Sequence, residues 1–353
     1  MFTQLLTTNS NIRKITGVDK FHKAGYYGER VSVASGECWN LDLYNPDGLC
    51  NNPTNSTTFS YHGLETAACF FQVAPKARLT MFNSSGRFGS NTYDCKIMNE
   101  AFPYIENSDI ILMSTSLSPT GNKKFREDYA KKMQALTYFC SCWPAGNNGA
   151  GSFNRMLEIE EITGVGGFIL NNGHLQISGN SGSSNNANLI DFSAPFNVHY
   201  QIQPGMDALC SGTSAATPWL CGMMALIDDF FIDKTGKPLT RDKMIEFLKE
   251  HCKDIEDKGM DKRSGWGIPC LPEPSDIDIA KYATVVNPVE PDPDPGSTPE
   301  PENPEPTYPD VSDWAFNAWN KATQNGIIDG TRPKDNITRE EAVVILDRLE
   351  MLE

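Results

Sequence analysis

Four short segments of this 353-residue chain hold residues whose types could do covalent chemistry. Gly212-Thr213-Ser214-Ala215-Ala216-Thr217-Pro218 leads into a run where Trp219, Leu220, Met223, Met224, Ile227, Phe230 and Phe231 recur at spacings of three and four. That spacing predicts a helix over 214–231, buried across a wide face. A serine at the start of such a helix lies among free backbone N–H groups at the positive end of the dipole, where developing negative charge is favoured. The same position suits a plain N-cap. Small flanking residues and Pro218 in the first turn make Ser214 more than a cap: it is a candidate nucleophile. His62 opens a second helical segment, 62–72, which by itself is an ordinary place for a histidine. Asn147, in Gly146-Asn147-Asn148-Gly149, belongs by itself to an ordinary turn sequence and carries an amide. Glu37 follows the β-type run at 31–35 and carries a carboxylate.

The elements that must position these residues alternate. Runs 31–35, 78–82, 109–113 and 137–141 read as strands; 62–72, 90–104, 123–136 and 214–231 read as helices. Alternation of this kind predicts an α/β fold, a doubly wound parallel sheet with helices on both faces.

Taken in order, the segments resemble the subtilisin-like serine peptidases. The serine string is similar to the family's Gly-Thr-Ser-x-Ala-x-Pro, which implies Ser214 as nucleophile. His62-Gly63-Leu64-Glu65, with Val73-Ala74-Pro75-Lys76-Ala77 behind it, resembles the family's His-Gly-Thr helix and Val-Ala-Pro-x-Ala segment, departing at Leu64 and Glu65. Ala145-Gly146-Asn147 resembles the Ala-Gly-Asn segment, which implies Asn147 as one oxyanion donor and the Ser214 N–H as the second. Ser114 to Ser118 resembles the edge segment that pairs with substrate backbone, implying Ser116, Leu117 and Ser118 as substrate-binding residues.

The acid is where the chain departs. The family has aspartate there, and Gly25-Tyr26-Tyr27-Gly28 with the following strand aligns without gaps to put Glu37 on its position. A shifted register leaves Ser35 there and no acid; Asp42 and Asp47 are poorer substitutes. A glutamate can still accept the Nδ1 proton of a histidine, as in Ser-His-Glu hydrolases. Ile190 to Pro195 and Ser264 to Ile268 add further matches, so the resemblance spans about residues 8–285. It implies an endopeptidase acting on polypeptides through an acyl-enzyme. A catalytically impaired relative that binds or displays protein at a cell wall is the alternative, motivated by the altered acid. A sedolisin-like Glu/Asp chemistry fits less well, because His62 and Asn147 are present. Relatives often bind calcium; no ligand set matches here, and no other cofactor or metal is expected.

Nine of the 23 prolines fall between Pro288 and Pro309, interleaved with acids, so 287–308 reads as an extended linker between a domain at 1–286 and a module at 309–353. That module places Trp314 and its neighbours on a helix and offers Thr338 with Glu341 as a capping box. With Ile337-Thr338-Arg339-Glu340-Glu341 it resembles one S-layer homology repeat, which implies a small helical module and a cell-wall polymer as possible partner. The net charge of -15 lies mostly on these last segments, and its sign disfavours nucleic acid and anionic lipid as partners. No run of about 20 apolar residues stands out as a membrane span. The start has no basic n-region with an apolar run, which points to the cytoplasm, while a wall-type repeat points to the surface; the location stays open. Ten scattered cysteines without a CxxC pair read as reduced, mainly core thiols.

Overall fold

The computed structural model describes residues 5–53, 55, 57, 59–82, 111–113, 123–203 and 205–283, all within the first of the two units into which the chain divides, Met1–Val285 and Val286–Glu353. The expected helix at 90–104, Ser116-Leu117-Ser118, Cys95, the linker and the C-terminal module lie outside the described residues.

Strands β1 (Ser32–Ser35), β2 (Cys50–Asn51), β3 (Arg78–Met81), β4 (Ile111–Met113), β5 (Cys140–Pro144), β6 (Ile162–Asn171), β7 (His174–Ile177) and β8 (Phe192–Pro195) form one sheet. Its order is β2-β3-β1-β4-β5-β6, with β8 parallel to β6 and β7 folding back antiparallel on it. The pairings from β2 to β6 are parallel, and the strand order reverses around β1. In open parallel sheets the crevice beyond the carboxyl ends of the strands at such a reversal is where ligands bind. The two-stranded hairpin β9 (Asn197–Gln201) and β10 (Asp207–Ser211) stands apart from this sheet.

Helices α1 (Ser10–Ile15), α2 (Val18–Lys23), α3 (Tyr61–Phe71), α4 (Lys123–Ala135) and α5 (Thr213–Thr235) pack around it. Side chains alternate across a strand, and β5 shows both faces in use. Cys140 and Cys142 join the core around α3 and α5. Trp143 joins a second core with Tyr129 and Met133 of α4. The hydroxyl of Ser141 is bound there by Tyr129 at 2.6 Å and by the Trp143 indole at 2.9 Å. Likewise Val33 and Ala34 of β1 belong to opposite cores. The architecture is the doubly wound α/β fold with helices on both faces.

Ala215 through Phe231 of α5 are all buried. By length and composition this helix could cross a membrane, contrary to the reading that no segment stands out, yet 94% of its apolar window lies inside the fold. It is a core helix, and it carries buried Asp228 and Asp229. Asp229 accepts from the backbone N–H groups of Tyr27, Gly28 and Arg30 and from the Arg30 guanidinium, at 2.9–3.2 Å. The lead-in to β1 is thereby tied to the same helix that begins beside Ser214. Gly28 is needed in that turn, since its φ is +86° and an added Cβ would lie 3.0 Å from that of Ala77.

Two local readings need correction. The strand expected at 137–141 runs instead from Cys140 to Pro144, because the chain turns after α4 with the Phe139 N–H on the Leu136 carbonyl. Pro218 lies inside α5, beyond its first turn, because the helix starts at Thr213. The nine cysteines among the described residues are free thiols, seven of them buried.

Candidate active site

The Glu37–His62 corner forms where β1 ends. Ser35, fully buried, turns back on the next residues: its hydroxyl and the Glu37 backbone N–H and C=O lie 3.3 Å apart in both pairings. This small turn sends the Glu37 side chain toward the start of α3. There Glu37 Oε1 lies 2.7 Å from His62 Nδ1, and Oε2 accepts from the Ser60 hydroxyl at 3.2 Å. Ser60 also caps α3 by accepting from the Gly63 N–H. One serine thus caps the start of the helix and fixes the carboxylate, a double role that the sequence does not announce. Its signal was the ordinary one, a serine just before a helical run.

Gly63 leaves room for the Glu37 side chain to lie close against the start of α3. A Cβ on residue 63 would come within 3.0 Å of Glu37 Cβ and 3.3 Å of Oε2. The carboxylate therefore packs directly on the first turn of α3. Glu37 is 5% exposed, whereas Asp42 and Asp47 are on the surface. Burial pushes His62 down, but the hydrogen bond and charge of Glu37 outweigh it, and the imidazole ends above its ordinary value. Cys210 and Glu65 add to that rise.

The second corner forms where β5 ends and α5 begins. Gly212, with φ of +115°, is the N-cap of α5 and makes no side-chain cap. A Cβ there would meet the Asn147 amide at 2.9 Å. The Thr213 N–H and hydroxyl lie 2.9 and 3.1 Å from Asn147 Oδ1. Because a backbone N–H can only donate, this amide oxygen is the acceptor, and the Nδ2 donors face elsewhere. The Gly146 N–H, in turn, donates to the Thr213 hydroxyl at 3.1 Å. Thr213 was another residue the sequence reading passed over, although it stands directly before the serine.

Ser214 is the second residue of α5, half-buried, and not a cap. Its hydroxyl has no hydrogen-bond partner among the described residues, and it is not bonded to His62. The His62 side chain is 41% exposed, and its second ring nitrogen has no hydrogen-bond partner among the described residues. Glu37 and His62 are thus paired, Asn147 is joined to the residue preceding Ser214, and all lie beyond the carboxyl ends of β1 and β5. Such a set can deprotonate a hydroxyl nucleophile and stabilise an oxyanion.

Residues 33–267 match the Subtilase family, Peptidase_S8. The chain belongs to the subtilase family of serine peptidases. Two solved structures share its fold: a lanthipeptide protease and the prenylagaramide maturation protease PagA. The first is 18% identical with a TM-score of 0.61, covering 73% of this chain and 90% of the other. The second is 17% identical with a TM-score of 0.60, covering 72% and 95%. No curated protein matches this chain. As a subtilase it acts on polypeptides.

Proposed function

We propose that this subtilase is an endopeptidase that works through an acyl-enzyme with a Glu-His-Ser variant of the family triad. The 2.7 Å contact of Glu37 with His62 Nδ1 supports the reading most strongly. It leaves the other imidazole nitrogen unprotonated and available to take the Ser214 proton. Ser214 attacks the scissile carbonyl, His62 returns the proton to the leaving amine, and Glu37 stabilises the imidazolium between these steps. The Asn147 amide and the Ser214 N–H at the dipole end of α5 hold the oxyanion. In an unliganded site the serine–histidine bond is often long and closes only with substrate bound. Ser116, Leu117 and Ser118 belong to this reading as the substrate-pairing edge.

A fluorophosphonate probe labels Ser214 in the intact protein, and Ser214→Ala abolishes labelling and lowers turnover about 10⁶-fold, as for a triad serine. An unmodified Ser214 at saturating probe sinks the assignment. The wall-polymer role of 309–353 rests on its motif alone. Retention on cell-wall sacculi, lost in a chain ending at residue 286, is its test.

A further inference from the structure

His62 and Glu65 are three residues apart on α3, so their side chains leave neighbouring parts of one helix face. Glu65 Oε1 accepts from the Tyr200 hydroxyl at 2.6 Å. Tyr200 is 2% exposed and lies on β9, opposite Ala208 of β10. Strand β10 ends at Ser211 and runs straight into Gly212, Thr213 and Ser214. This single bond therefore ties the helix that carries His62 to the hairpin that delivers Ser214. The thiols of Cys69 on α3 and Cys210 on β10 also meet along this seam. Burial first, and then the bond to Glu65, push the Tyr200 phenol up, so it stays a donor throughout the working pH range.

We propose that Glu65 and Tyr200 form a positioning pair for His62: they set its distance from Ser214 and bring a second negative charge to the imidazole. The proposal rests on the triad reading above. Among the described residues the titratable groups facing His62 are Glu37 from the turn after β1, Cys210 from β10 and Glu65 from α3. Glu37 binds the ring directly, whereas Glu65 acts through charge and through the hairpin it holds. The two functions separate by substitution. Glu65→Gln keeps an acceptor for Tyr200 and removes the charge. Tyr200→Phe keeps the ring and removes the link.

The experiment uses the full chain, with the rate of fluorophosphonate labelling at Ser214 measured against pH and the His62 titration followed by NMR. Because the Glu65 charge favours the imidazolium, Glu65→Gln moves both midpoints to lower pH. Tyr200→Phe lowers the plateau labelling rate about tenfold, the size expected when a reacting group is slightly misplaced. A purely structural role would lower the melting temperature in both variants and leave the His62 midpoint unchanged. An unmoved midpoint in Glu65→Gln, or a wild-type plateau in Tyr200→Phe, overturns the proposal while the Ser214 assignment stands. A wild-type chain whose Ser214 does not react overturns that assignment first, and this inference with it.

Discussion

The two corners of the site are built in different ways. At the Asn147 corner, the proposed oxyanion site, the work is done by backbone: a glycine with positive φ opens α5, and the Thr213 N–H orients the Asn147 amide. At the Glu37–His62 corner a long side chain is steered into place by its surroundings, the Ser35 turn on one side, Ser60 and the bare Gly63 on the other. The first corner matches the family pattern residue for residue; the second departs from it. The backbone-built corner keeps the residues of the family strings, whereas the corner built by packing holds an acid one methylene longer. Within that contact the acid alone differs, since the glycine it packs against, Gly63, matches the family's own His-Gly pair.

The comparison can be broken most sharply at Glu37. Glu37→Gln removes the charge that stabilises the imidazolium and lowers kcat/KM about 10⁴-fold, as when the acid of a triad is neutralised. The acid limb of the activity profile moves with it. In the wild type, activity rises as His62 loses its proton, above its ordinary value; without the carboxylate's charge that limb moves to lower pH. A profile unchanged in position would remove Glu37 from the triad.

Asn147→Ala tests the other corner. Its expected loss is about 10²–10³ in kcat, the magnitude found for the oxyanion asparagine of subtilisin, with KM nearly unchanged. A rise in KM alone would mean that Asn147 contributes to ground-state binding and not to the oxyanion.

Glu37→Asp sharpens the contrast. It restores the acid usual in the family but shortens a side chain that packs on Gly63, so the carboxylate withdraws from His62 Nδ1. Activity falls about tenfold. Equal or higher activity in Glu37→Asp would show that the corner is not shaped for glutamate.

The smallest effect lies away from both corners, further along α5. Burial pushes Asp228 up to about 8, while its one described bond, to the Leu239 N–H, pulls it the other way. The native acid stays protonated where the unfolded chain ionises near its ordinary 3.8, so stability declines as pH rises between those values. Asp228→Asn raises the melting temperature at pH 7 by several degrees and flattens this decline, with turnover unaffected. A melting temperature that depends on pH as strongly as in the wild type would show that Asp228 is not the group responsible.

Much of this was legible in the chain itself. Three of the four expected helices coincide with α3, α4 and α5 to within a few residues, because apolar periodicity and the positions of Gly and Pro are local signals. Ser214, His62 and Asn147 announced themselves through short strings in a fixed order. The start of β5 was misread by three residues, since the turn after α4 has no strong breaker and the apolar Tyr138 and Phe139 extend the pattern backwards. Ser60 and Thr213 escaped notice because their roles depend on partners from distant segments, Glu37 and Asn147.

The sequence by itself therefore determined the family and the layered fold, and it offered Ser214, His62 and Asn147 as candidates. The fold follows from residue type, spacing and local backbone preference, and the family from short strings in a fixed order. Only the tertiary structure decided between Glu37 and Ser35 as the group beside His62, since that choice turns on a 2.7 Å contact between residues 25 positions apart. It depends on how β1 and α3 pack, and on the room left by one glycine. The link from Glu65 to Tyr200 spans 135 positions and is of the same kind. Neither residue carries a signal of it in its own segment, because the information lies in the meeting of two elements.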